Sequence, residues 1–298
     1  MPLYNGMPFL ADAIDSILSQ TLTDFEFIIV DNGSTDGSHE YATSIRDNRI
    51  RVISESTRGP GMATNAGYAV STAALIAIMD ADDLAHPERL RLQTQFFDAH
   101  PEVVLIGTRF AFRVGSRTVP VPPQPRSHAQ IRRALIDRQP VICNPSTMAR
   151  ATAVRAVGGH HAPGPGADFD FFLRMSDVGE LYNIPTVLHY YRLHNASTSI
   201  VRMMDTKKEH SYGLACAKAR ADGLHEPTIE QFNQHWFERS RFAKLREYAD
   251  CKALTLYREA IVERAQGHWI SSAATITLAA MLSPTRTTWH LKRRLRLC

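Results

Sequence analysis

Cysteine is scarce in this 298-residue chain: Cys143, Cys216, Cys251 and Cys298 stand alone, with no CxxC spacing. That excludes a disulfide framework and a cysteine-based zinc site, and it fits a reducing compartment. A glycine-rich phosphate loop is also missing. Gly59-Pro60-Gly61 is the nearest candidate, and it has neither GxGxxG nor GxxxxGK spacing. Long apolar runs are absent too. The stretch from Trp269 to Leu282 is short and rich in Ser and Thr, so no bilayer span is expected. The first residues have no basic segment followed by an apolar one, so no signal peptide is expected and a cytoplasmic location is. A net charge of +4 is too weak an excess to imply a nucleic-acid partner.

What is present is enough apolar content, 44%, for one large domain or one domain with an appendage. Phe9, Leu10, Ala13, Ile14, Ile17 and Leu18 recur at helical spacing, predicting a helix over about 8–22. Residues 25–30 then read as a buried strand ending at Asp31. A helix to about 46, a strand at 51–54, a helix from 60 to 71 and a strand at 75–79 follow. This alternation predicts an α/β sandwich with a mixed, mostly parallel central sheet. Residues 103–112 are strand-like, 127–138 and 169–176 helical, and 187–192 strand-like. Gly158 to Gly166 is expected to be irregular and mobile. Beyond residue 200 nearly everything fits helices, at 205–221, 228–248, 251–265 and 270–282. The expected division is a domain over 1–200 and a helical appendage over 201–298.

The most informative feature is Asp80-Ala81-Asp82-Asp83, directly after the apolar run 74–79. In an extended strand end, Asp80 and Asp82 point the same way because side chains alternate. Two converging carboxylates are costly without a cation or hydrogen-bond donors, so the cluster suggests a divalent metal and a diphosphate. The alternative is a strand end followed by a helix cap, with Pro87 opening the helix. In α/β sheets ligands bind beyond the carboxyl ends of strands, where Asp31 and Asp80 both lie.

Six short motifs occur in a fixed order: Pro2-Leu3-Tyr4-Asn5, Val30 to Asp36, Asn65-Ala66-Gly67, Asp80 to Asp83, Asp168 to Arg174, and Tyr191-Arg192-Leu193-His194. Each alone is weak; the ordered set resembles family 2 glycosyltransferases over about residues 1–198. The resemblance implies a GT-A type fold and inverting transfer from a nucleoside-diphosphate sugar, UDP-sugar favoured. It implies a glycan or lipid-linked acceptor in cell-surface polysaccharide synthesis, and a Mn2+ or Mg2+ cofactor. By the same resemblance Pro2, Tyr4, Asp31, Asn65 and Asp80 bind the nucleotide and Asp82 ligates the metal. His194 lies near the metal or phosphates, Arg192 faces the diphosphate, and Asp168 is the catalytic base. The alternatives are ordinary ones: a packed Tyr4, a turn cap at Asp31, a structural histidine at 194, a surface salt bridge at Arg192. Asp168 could equally cap its helix, Asp170 competes with it as base, and Asp83 reads better as a helix cap than as a ligand.

Three departures accompany the resemblance. Ala167 replaces the usual Glu before the base, and Thr64 replaces a long side chain before Asn65. The chain opens at Met1-Pro2, so the family's first strand is expected to be missing and a true start upstream is expected. A catalytically silent nucleotide-binding homologue acting as an assembly partner is therefore the competing reading. At the other end, Trp289 to Leu297 alternates bulky apolar and cationic residues. This is either a solvated basic helix end or a peripheral contact with anionic lipid, at the inner face of the plasma membrane.

Overall fold

The computed structural model describes residues 1–298 except 140, 163, 165, 195–201, 285–286 and 289–298. Two compact units result: Met1–Ala111 with Pro123–Arg192, and Phe112–Pro122 with Leu193–Cys298.

The first unit begins with β1 (Pro2–Leu3) and α1 (Leu10–Leu18), whose Leu10, Ala13, Ile14 and Ile17 form the buried stripe that the helical spacing predicts. Next come β2 (Phe27–Asp31), α2 (Ser38–Ser44), β3 (Ile50–Ser54) and α3 (Pro60–Val70). β1, β2 and β3 form a parallel sheet in that order, with Leu3 opposite Asp31 and Phe27 opposite Ile50. Pro2 and Leu3, the start of the first motif, form a two-residue β1 here. The Met1 ammonium donates to Ile28 O at 2.8 Å, extending the same edge. Leu3, Ile14, Phe27, Ile29 and Met79 share one core.

The second sheet contains β4 (Leu75–Ala77), β5 (Leu84–Ala85), β6 (Val103–Val114), β7 (Arg117–Pro120), β8 (Met148–Arg150) and β9 (Glu180–Arg192). Its order is β4-β8-β6-β9-β5, with β7 on β6. Parallel pairing, expected for most of the sheet, is confined to β1-β2-β3 among the described pairings; β4–β8, β6–β8 and β5–β9 are antiparallel. The reason is connectivity. Helical crossovers join the first strands, whereas β6 and β7 are joined by a two-residue turn at Gly115, whose φ is +56°. Helices α4 (Arg89–Ala99), α5 (His128–Ile136), α6 (Ala151–Ala156) and α7 (Ala167–Val178) complete the first unit, while β7 and the end of β6 from Phe112 belong to the second.

In the second unit the helices are α8 (Met203–Ala221), α9 (Ile229–Glu238), α10 (Arg241–Ala265) and α11 (Trp269–Leu282). The helix break expected near 249–250 falls instead at 239–240. Ser240 explains it: its hydroxyl accepts the Ala243 N–H at 3.2 Å and starts α10, while no Gly or Pro interrupts 249–250. Ala253 and Leu256 of α10 pack with Ala279 of α11. Among the described residues no helix is long and apolar enough to cross a membrane.

Candidate active site

The carboxylates of Asp80, Asp82 and Asp83 each offer an oxygen within 4.8 Å of the others. Their convergence comes from a turn rather than from strand alternation. The β4 ladder ends at Ala77, and the Asp83 N–H reaches back to Asp80 O at 3.5 Å. Arg89, fully buried on α4, fixes the approach to this turn. Its guanidinium donates to Ile78 O at 2.6 Å, to Thr147 O at 3.1 Å and to Gln93 Oε1 at 3.1 Å. Gln93 in turn donates to Ser146 O at 2.9 Å, tying the same knot to the turn before β8.

Asp83 does not cap a helix. It is buried, and its Oδ1 accepts the Arg192 N–H at 2.8 Å, while Oδ2 lies 2.7 Å from His189 Nε2. Asp83 therefore clamps the turn to β9, because β5 intervenes where the sequence suggested a helix start. Burial pushes its carboxyl well up, with Asp82 and Asp80 adding to the rise. Burial likewise holds His189 well below the usual imidazole range, so the ring is neutral. Asp83 is thus committed to protein partners, while an oxygen of Asp80 and one of Asp82 converge beside it.

Asp80 is raised to about 7, first by burial, then by the charges of Asp82 and Asp168. That places the Asp168 carboxylate, on the first turn of α7, within electrostatic reach of the cluster. Asp170 is the weaker competitor for reactive chemistry. It is buried and receives Arg174 Nε at 2.8 Å. Arg174 also donates to Gly159 O at 2.7 Å and to Val157 O, so the pair latches the glycine loop onto α7. Asn65 closes the loop from the other side. Its Nδ2 donates to His160 O and its Oδ1 accepts the His160 N–H, both at 2.8 Å. Both ends of the Asn65 amide are thus engaged on backbone. Gly159 has φ +68°, and a Cβ there would sit 2.4 Å from Asn65 Oδ1, so both conformation and space demand glycine. The segment expected to be irregular is so, but it is held from both flanks; Pro163 and Pro165 lie outside the described residues.

At the end of β2, Asp31 is buried, accepts the Ser34 N–H at 3.1 Å and lies 3.5 Å from His39 Nδ1. Asn32 bonds Glu55 O, Thr57 O and the Gly59 N–H, which pins the β2 turn to the start of α3. Tyr4 is 56% exposed, with the Arg58 guanidinium 4.8 Å from its ring centroid. An open aromatic face, a cation and a strand-end carboxylate are suited to stacking on and bonding a base. Pro2 serves in β1 opposite Val30.

A family model described as glycosyl transferase family 2 matches residues 1–158. The chain belongs to this family. Relatives of this family 2 chain include EpsE of Bacillus subtilis, named as a glycosyltransferase, 31% identical over 64% of this chain and 71% of that protein. Chondroitin synthase of Escherichia coli is 28% identical over 71% of this chain and 31% of its own length. The chain spans under two fifths of several other relatives, such as 30% of a Nostoc glycosyltransferase that is 39% identical over 32% of this chain. Among solved structures, S. aureus TarS 1–349 with UDP superposes with a TM-score of 0.59 at 16% identity, covering 99% of this chain and 90% of that one. The mannosyltransferase PcManGT of Pyrobaculum calidifontis, solved with GDP-Man and Mn2+, gives 0.57 at 19% identity over 99% and 84%. The fold is therefore of the GT-A type.

Within this GT-A frame Arg192 does not point a free cation at the cluster. Its Nη2 reaches Asp12 Oδ2 at 3.2 Å and its guanidinium lies 4.6 Å from the Phe9 ring centroid. His194 falls in the second unit, beyond the division at Arg192. Arg89, His189, Asn32, Arg58 and Arg174 were not legible as site residues. Asn32, in the Asp-Asn-Gly turn, and Arg174, at the end of the fifth motif, carried a local signal; Arg89, His189 and Arg58 act across the fold.

Proposed function

We propose that this family 2 chain transfers a sugar, with inversion, from a nucleoside-diphosphate sugar to a glycan or lipid-linked acceptor in cell-surface polysaccharide synthesis. A UDP-sugar is the favoured donor. The single observation that carries the reading is the convergence of Asp80 and Asp82 with the Asp168 carboxylate within electrostatic reach. The charges of Asp82 and Asp168 raise the proton affinity of Asp80, an arrangement suited to a cation and to proton transfer. The complexes of TarS with UDP and of PcManGT with GDP-Man and Mn2+ support the donor class.

The donor set is all oxygen, which fits Mn2+ or Mg2+ held by Asp82 together with substrate phosphates. Such a cation, when bound, neutralises charge developing on the departing diphosphate. The protein's own residues do the rest. Tyr4 stacks on the base, Asp31 accepts its N–H, and Asp80 holds the ribose. Asp168 accepts the acceptor hydroxyl's proton as the new C–O bond forms opposite the breaking bond to phosphate. Asn65 positions the loop before Asp168 rather than touching nucleotide, and Arg192 must leave Asp12 to reach a phosphate. Transfer is assigned to residues 1–200, and acceptor choice to residues 113–167 and the helices beyond 200. The basic residues after 285, working at the cytoplasmic face, bring the enzyme to an anionic membrane carrying the acceptor.

Thermal-shift titration with UDP, dTDP, GDP and CDP, each with and without Mn2+, tests the donor site. One nucleotide should raise the melting temperature in a Mn2+-dependent way, and Asp82→Ala should abolish the shift. Indifference to all four nucleotides would sink the reading. Asp168→Asn should keep the shift and lose transfer by about a thousandfold; normal turnover would remove Asp168 as the base.

A further inference from the structure

We propose that α11 is an interfacial helix that seats an apolar face in an anionic lipid surface, with an arginine-lined cavity beside its N-terminus receiving a lipid phosphate. Its sequence, WISSAATITLAAML, contains no charged residue. One side is used internally: Ala279 is fully buried with Ala253 and Leu256, and the Ser272 hydroxyl donates to Ala260 O at 2.8 Å. The other side carries Ile270, Ala274, Leu278 and Met281 at helical spacing, and all four are exposed. Ile270 is 89% exposed and Met281 74%. Apolar side chains this open along a whole face are uncommon unless something covers them.

Charge decides what the cover is. Residues 269–298 contain Arg286, Lys292, Arg293, Arg294 and Arg296 and no Asp or Glu. The acids that touch the helix, Glu263 at Ser271 and Asp250 at Ser283, are engaged by its hydroxyls. The cationic excess in the sequence complements an anionic membrane, whereas a second copy carries the same excess. At roughly 1.5 Å per residue, fourteen residues fall well short of a hydrocarbon core of about 30 Å, so the helix lies in the interface rather than crossing it. Trp269, 60% exposed, stands at the N-terminal end, with the Arg264 guanidinium 4.8 Å from its ring centroid. Amphipathic tryptophan suits the headgroup level. Arg264 also lines a cavity of about 350 Å³ together with Ile261 and Ala265 of α10 and Arg117, Thr118 and Val119 of β7. Two arginines on one small cavity match a phosphate.

The inference rests on the membrane reading of the basic C-terminal residues, and the test separates the two. Full-length protein is sedimented with phosphatidylcholine vesicles and with vesicles containing phosphatidylglycerol, at low and high salt. Binding should require the anionic lipid and weaken with salt. Ile270→Asp/Met281→Asp should lower it by about tenfold or more, with the melting temperature and nucleotide response unchanged. Arg117→Ala/Arg264→Ala should lower it severalfold. Lys292→Glu/Arg293→Glu/Arg294→Glu reports on the tail alone. If only that variant loses binding, the tail reading stands and the role of α11 is overturned. If wild-type protein ignores anionic vesicles, both fall. If Ile270→Asp/Met281→Asp instead dissolves a concentration-dependent dimer without lipid affinity, the occupant is a second copy and the proposal is wrong.

Discussion

Around the aspartate turn, side chains bond to backbone far away in sequence: Arg89 to Thr147, Asn65 to His160, and the Asp83 carboxylate to the Arg192 N–H. Among the described residues of α8 to α11 many side-chain bonds stay within a helical turn, as from Ser211 to Lys207, Thr255 to Cys251 and Thr277 to Ala273, and the buried Glu247 pairs with Lys207 and Arg239. The first unit draws its candidate site from several separate stretches of chain, so buried polar groups must be satisfied across the fold. The second is an assembly of helices with an apolar seam and a few bonds between helices, such as Lys207 to Glu247. Damage should follow the same divide: loss of a long-range latch disturbs the site, while loss of a cap or seam contact stays local.

Arg89→Met gives the largest expected effect on stability. Removing the guanidinium leaves Ile78 O, Thr147 O and Gln93 without their donor in a fully buried setting. A loss of about 3 kcal/mol or more is expected, read as a shift of the urea midpoint at constant slope. The Mn2+-dependent nucleotide shift should weaken in the same variant, because Arg89 also offsets the charge of Asp80. A stable variant with full nucleotide response would break the contrast between the units.

The glycine loop offers a pH probe. His160 is buried, its ring 4.7 Å from that of Phe171 and 5.9 Å from that of Tyr68, and burial lowers it to about 4. Its depressed value means the unfolded chain takes the proton first as pH falls below 6.5. The neutral ring's contribution is complete above 6.5 and is lost on the way to 4, about 3 kcal/mol in all. Asp80, raised to about 7, acts in the opposite sense over an overlapping range, since its folded form takes the proton first. The informative quantity is therefore the difference in stability between wild type and His160→Phe. That difference should change with pH between 6.5 and 4 and be flat above. A pH-independent difference would show that the His160 ring titrates as in water.

Much of the first unit was legible because its special chemistry is local in sequence. Asp31 and Asp80 end apolar runs, and the glycine pair at 158–159 announces left-handed backbone. What escaped was anything defined by a partner across the fold. Arg89 reads as an ordinary first-turn helix residue until Ile78 O and Thr147 O arrive beside it. Asp83 reads as a cap until β9 brings His189 to it. β8 was not read as a strand, and its antiparallel course beside β4 was hidden too, since alternation reports burial and not direction. In the second unit helices were evident, yet their breaks were not, because periodicity in α10 is continuous and the stop depends on one hydroxyl.

That hydroxyl supplies the smallest expected effect. Ser240 accepts the Ala243 N–H, and α10 then runs unbroken to Ala265. Ser240→Ala leaves that N–H to water and should cost about 1 kcal/mol. Hydrogen exchange should show the loss in the first turns of α10, with Ala253 and Leu256 still protected by α11. Nucleotide response should not move. If protection were lost through Ala265 instead, the cap would be nucleating the whole helix, and the second unit would be as cooperative as the first.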